Sequence, residues 1–91
     1  MFNSVSVIGA LLEVDKSEPN IRYLLIERAY SNLKSGILTD KVPIMNWNKE
    51  AKGEVFSFPE RSLVALRGRI ETYNSRVVII VETITNLKLK Y

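Results

Sequence analysis

Trp47 is the only tryptophan in a chain of 91 residues, and it shares strand parity with Lys41 and Met45, with Lys49 just beyond. An indole flanked by ammonium groups suits unpaired nucleic acid, because bases stack on aromatics at roughly 1–3 kcal/mol each while Lys and Arg hold phosphates. Arg67, Arg69 and Tyr73 repeat the pattern on a later run, with Arg76 across a turn. Tyr23 lies opposite Leu24 and Ile26 on its own run, placed to stack a base or to pack against a partner subunit. Trp47, Lys41, Lys49, Tyr23, Arg67, Arg69, Tyr73 and Arg76 are therefore the candidate nucleic-acid-binding residues. Two plainer readings stand beside this one: Trp47 as a packed aromatic closing one end of the fold, and the arginines as an exposed face paired with Glu71 and Glu82.

Other chemistries lack their residues. Without His or Cys there is no imidazole or thiolate metal site, no catalytic thiol and no Ser-His or Cys-His pair. Phosphate-cradling glycine loops and the nucleophile elbow are missing too. Glu13, Asp15 and Glu18 gather in a turn, where acidic residues usually just solvate the chain. A non-enzymatic protein with no cofactor, no metal and no small-molecule substrate is expected. No apolar run approaches the roughly 20 residues of a membrane span, and Met1–Ser6 lacks a leader's basic region, so a cytoplasmic location is expected.

The net charge is +3 but unevenly spread. Residues 1–60 hold seven basic and eight acidic residues, a net −1, whereas residues 61–91 hold six and two, a net +4. That asymmetry suggests an anionic partner for the last third.

The elements that must position these residues are strands. Short runs rich in Val, Ile, Tyr and Thr, bounded by turn residues, predict strands over 4–14, 21–30, 41–47, 63–73 and 76–88. Asp15–Asn20 reads as a turn, 31–40 as a loop or ragged hairpin, and Asn74-Ser75 as a tight hairpin turn. Pro43 cannot donate to a ladder, which predicts a free or irregular edge on the third strand. Lys49–Lys52 carries helix formers, limited by Gly53 and Pro59 to one or two turns. Val77–Val81 is apolar on both parities, so a second subunit is expected to cover its outer face. The expectation is one all-β domain over 1–91, an OB-fold: a five-stranded Greek-key barrel with a short helical connector between strands three and four. An SH3-like barrel is the rival.

Four segments resemble the bacterial single-stranded DNA-binding protein family. Asn3–Leu11 is similar to its first strand, N-x-V-x-L-I-G-x-L, and Val42–Ala51 to its third strand and helix start, I-P-V-V-x-W-G-K-x-A. Ser62–Ile70 resembles the G-x-x-V-x-V-x-G-x-L strand, and Ile84–Leu87 the closing I-x-x-L. The resemblance implies an OB-fold that assembles as a homodimer or homotetramer and binds single-stranded DNA with little sequence preference, in replication, repair or recombination. Trp47 falls where the family places a base-stacking aromatic, and Lys41 where members can place another.

The sequence departs from the family in a short hairpin at Asn74-Ser75 and in ending at Tyr91 without an acidic-tipped tail, as in the primosomal replication protein B branch or a phage accessory protein. The alternative function is an OB- or SH3-like protein-interaction module using Tyr23, Leu25 and Met45. Stacking and phosphate contacts do not separate DNA from RNA.

Overall fold

A computed structural model describes residues 3–29 and 37–91. Among these residues five strands run in the order β1 (Val5–Val14), β2 (Ile21–Ala29), β3 (Ile37–Asn46), β4 (Ser62–Tyr73) and β5 (Arg76–Lys90), with one short helix, α1 (Glu54–Ser57), between β3 and β4. They close into a barrel in the spatial order β1-β2-β3-β5-β4. All neighbours are antiparallel except β3 and β5, which run parallel over Ile44–Asn46 and Ile79–Val81. This is the OB arrangement, and it sets aside the SH3-like rival.

Alternation decides what lies inside. Leu11, Leu24, Ile44, Val64, Leu66, Ile79 and Val81 fill the barrel, and Val55 of α1 plugs one end with Phe56 and Phe58 packed around it. Arg22 shares the inward parity of Leu24 and is buried. Its guanidinium donates to the carbonyls of Leu12 (2.7 Å), Val55 (2.9 Å) and Phe58 (2.6 Å), tying the connector to the barrel floor. Removal from water lowers its pKa, opposed by the charge of Glu60, and three carbonyl acceptors make burial of the cation tolerable.

Three expectations need correction. Ile37–Asp40 is strand, not loop, because each of its residues pairs with Glu27, Arg28, Ala29 or Ile26 of β2 and Arg28 bridges Asp40 at 2.6 Å; residues 31–36 lie outside the described residues. The helix forms after Gly53 rather than over Lys49–Lys52, since Lys49 takes a left-handed φ of 60° that ends any helix there. The outer face of β5 is covered by the chain itself: Val78 and Ile80 are buried with Ile21 and Met45 in a second apolar cluster under Tyr73. No second subunit is needed to cover Val78–Val81, although Val77 at the start of the run is 64% exposed; Met45 is buried, so of the Tyr23, Leu25 and Met45 face only the half-buried Tyr23 and Leu25 reach the surface.

Pro43 meets its expected free edge, for the parallel pairing with β5 begins one residue later at Ile44. Asn74 and Ser75 both take positive φ, 49° and 64°, in the two-residue turn between the paired Tyr73 and Arg76.

β5 carries a bulge that matters for the site. Arg67 pairs with Thr83 but Gly68 pairs with Val81, so Glu82 is an extra residue without a partner on β4. Consecutive Glu82 and Thr83 are both exposed, as the extra residue of a bulge allows. The bulge depends on Gly68, where an added Cβ would sit 1.8 Å from the Ile80 carbonyl oxygen.

Candidate nucleic-acid interface

Seven of the eight candidate residues fall along one band of the barrel's outer surface, in a chain of side-chain contacts. Trp47, just past the end of β3, is 63% exposed. It lines one cavity of about 290 Å³ with Arg69 and Glu82 and an adjoining one of about 450 Å³ with Asn46, Val55 and Ile84 among others. Arg69 donates to Glu71 (2.7 Å) and to the Oε2 atom of Glu82 (2.8 Å). Glu71 in turn bridges Lys49 at 3.2 Å, and the Lys49 ammonium lies 6.0 Å from the centre of the Tyr73 ring.

The far half of the band is built on the β1–β2 turn. The Asp15 carboxylate accepts the backbone N–H groups of Ser17 and Glu18 and the Ser17 hydroxyl, which fixes the turn. It also accepts the Tyr23 hydroxyl, and Arg76 donates to that hydroxyl at 2.8 Å. Lys41 lies over the Tyr23 ring, 4.5 Å from its centre, with its Nζ donating to Glu13 at 2.8 Å. Asn20 and Asn74 join the halves, Asn20 donating to the Tyr73 hydroxyl and Asn74 to Glu18.

Charge along this band alternates. Lys41, Lys49, Arg69 and Arg76 each face at least one of Glu13, Asp15, Glu18, Glu71 and Glu82. Donation by Tyr23, then by the Glu18 N–H, holds the Asp15 carboxyl well below the usual carboxylate range. Lys41 lowers Glu13 and is itself raised; Arg69 and then Lys49 lower Glu71. The Lys41–Glu13 and Arg69–Glu82 pairs are exposed on both sides, where water and salt weaken them and a phosphate can replace a carboxylate at little cost, whereas Asp15, Glu18 and Glu71 are more sheltered.

The structure separates the candidates by role. Trp47 presents an open ring. The Tyr23 ring carries Lys41 and its hydroxyl is doubly engaged, while Tyr73 roofs the second apolar cluster. Arg67 stands apart: it has no ion-pair partner among the described residues and lies in a shallow groove with Ser6, Ile8, Ala65, Thr83 and Thr85. The sequence named all five carboxylates, Glu13, Asp15 and Glu18 as a solvated turn and Glu71 and Glu82 as alternative partners of the arginines, but not the tie of the turn cluster to Lys41 and Arg76 or the part played by the two asparagines. The pairing of Arg69 with Glu71 and Glu82 was legible as an alternative in strand parity; the long-range partners of Lys41 and Arg76 were not.

Among the described residues no group of His, Cys, Asp or Glu is arranged to hold a metal, and no helix is long and apolar enough to cross a membrane.

No protein-family model matches the chain. It is 30% identical over 83 aligned positions to single-stranded DNA-binding protein B of Bacillus subtilis, covering 79% of this chain and 70% of that one. Its fold is similar to the PriB protein of Ralstonia solanacearum, with a TM-score of 0.65 at 9% identity over 96% and 99% of the two chains. It also matches a small single-stranded DNA-binding protein of Streptomyces coelicolor, with a TM-score of 0.61 at 14% identity over 94% and 95%. On the Bacillus relative's identity and coverage, the chain belongs to the bacterial single-stranded DNA-binding protein family.

Proposed function

We propose that this chain binds single-stranded DNA with little sequence preference, in replication, repair or recombination. Residues 1–91 act as a single OB-fold domain in the cytoplasm, without catalysis or cofactor. The observation that carries this reading is the exposed ring of Trp47 at the barrel rim with Arg69 beside it. A base stacks on the indole, and the phosphates follow Lys49, Arg69, Arg76 and Lys41 by exchanging with Glu13, Asp15, Glu18 and Glu71, while the second arm of the Arg69 guanidinium keeps Glu82. Family membership supports the same ligand class.

Trp47 is the only tryptophan, so its fluorescence reports the site directly. Single-stranded DNA quenches it and duplex DNA of the same length does not; matched RNA and DNA oligomers then rank the two sugars. An unchanged signal on adding single strands rules the reading out.

The protein works as a homodimer or homotetramer. Support comes from the groove across β1, β4 and β5, where Ile8 is 63% exposed beside Ser6, Ala65 and Thr85, and which meets the Trp47 cavity at Thr83. Sedimentation at micromolar concentration shows no dominant 10.4 kDa species, and Ile8→Glu restores one.

A further inference from the structure

The carboxylate at the rim of the Trp47 pocket is there by construction. Glu82 is the unpaired residue of the β5 bulge, and a bulge re-aims a side chain that regular pairing would direct elsewhere. Gly68 keeps the two strands close enough for that bulge to exist. Glu82 then lines both cavities that Trp47 lines. Arg69 takes one of its oxygens, Oε2, at 2.8 Å and orients the group. Among the described residues the other oxygen, Oε1, has no hydrogen-bond partner, and the side chain is 46% exposed.

A base stacked on Trp47 therefore meets a fixed, negatively charged acceptor at its edge. An exocyclic amine satisfies that acceptor; Glu accepting from the N4 amine of cytosine is a standard pairing. Uracil and thymine present carbonyl oxygens at the corresponding position, and their single N3–H lies between two of them, so a carboxylate is repelled on both sides.

We infer that Glu82 gives the Trp47 subsite a preference for cytosine over uracil and thymine. This rests on the single-stranded DNA reading above and adds a base selectivity to it. Stacking alone would not produce this selectivity, because every base has a π-face.

The test is a Trp47 fluorescence titration at neutral pH with deoxycytidine and deoxyuridine oligomers of equal length, which hold the sugar constant and leave out the thymine methyl. The expected result is tighter binding of the cytosine oligomer by about threefold to tenfold, the effect of one net hydrogen bond. Glu82→Gln can turn its amide to donate or accept, so its ratio should fall to about one while both oligomers still bind. Glu82 is exposed, and the urea midpoint of that variant checks that the barrel persists. Equal affinities in the unaltered protein, or a ratio that survives in Glu82→Gln, overturn the inference while leaving single-stranded DNA binding in place. Quenching by neither oligomer overturns the binding reading and the base preference together.

Discussion

Lys41 and Tyr23 sit two positions off register on adjacent strands, with the ammonium 4.5 Å above the ring and at the same time 2.8 Å from Glu13. A cation that already has an aromatic and a carboxylate is not an empty phosphate site. It is a site whose occupant must exchange, and the same holds for Arg69, Lys49 and Arg76 along the band.

Removing the competing carboxylates should therefore strengthen binding. Glu13→Gln and Glu71→Gln are each expected to raise affinity for single strands about twofold to fivefold at low salt, the modest gain that exposed pairs allow. They should also steepen the dependence on salt, whose log-log slope is near −0.7 for each phosphate neutralised. Affinity measured between 50 and 200 mM salt decides it; unchanged or weaker binding would mean that phosphates never reach these cations.

Trp47→Ala removes the stacking platform. Binding should weaken by roughly 1–3 kcal/mol, while the urea midpoint stays close to that of the parent because the ring is mostly in water. A large drop in the midpoint would instead place the ring in the packing of the barrel end.

The strands, the barrel and seven positions of this band were readable in the residues, because parity and turn chemistry are local. Val78 and Ile80 show where locality ends. Apolar residues on both parities say that both faces are covered, but not by what, and the cover is Ile21, Met45 and Tyr73 of the same chain. Ile37–Asp40 looked like loop beside Ser35 and Gly36 until β2 supplied its ladder. Arg22 lay unnoticed on an inward parity, since nothing near it in sequence names the carbonyls of Val55 and Phe58 that it meets. Glu82 was visible as a partner for Arg69, but its bulge required the register of two strands.

Arg22→Met keeps much of the buried stem and leaves three carbonyls without their donor. Unfolding free energy should fall by about 2–4 kcal/mol, the cost of several unsatisfied buried acceptors. Urea denaturation measures it, and a loss too small to resolve would show water replacing the guanidinium.

Acid should loosen the β1–β2 turn. Asp15, Glu13 and Glu71 have pKa values lowered by folding. Their contribution is complete above the ordinary carboxylate range and disappears as the pH falls through the lowered values. The urea midpoint should hold from pH 8 to about 5 and decline below about 4. Asp15→Asn should start lower at pH 7 and decline less steeply; parallel curves for the two proteins would remove Asp15 from the account.

Arg67 and Arg69 are two residues apart on β4 yet sit in different cavities, one beside Ile8 and the other beside Trp47. The bulge between Arg67 and Gly68 shifts the β5 register between them. Their substitutions should therefore act differently. Arg69→Ala removes a phosphate contact and should flatten the salt slope by about 0.7, whereas Arg67→Ala should leave that slope alone and change self-association, because its neighbours Ser6, Ile8 and Ala65 form the face assigned to subunit contact. Salt-dependent titration and sedimentation on both variants separate the two effects. A flattened slope in Arg67→Ala would extend the DNA path across the bulge and take that face away from the subunit contact.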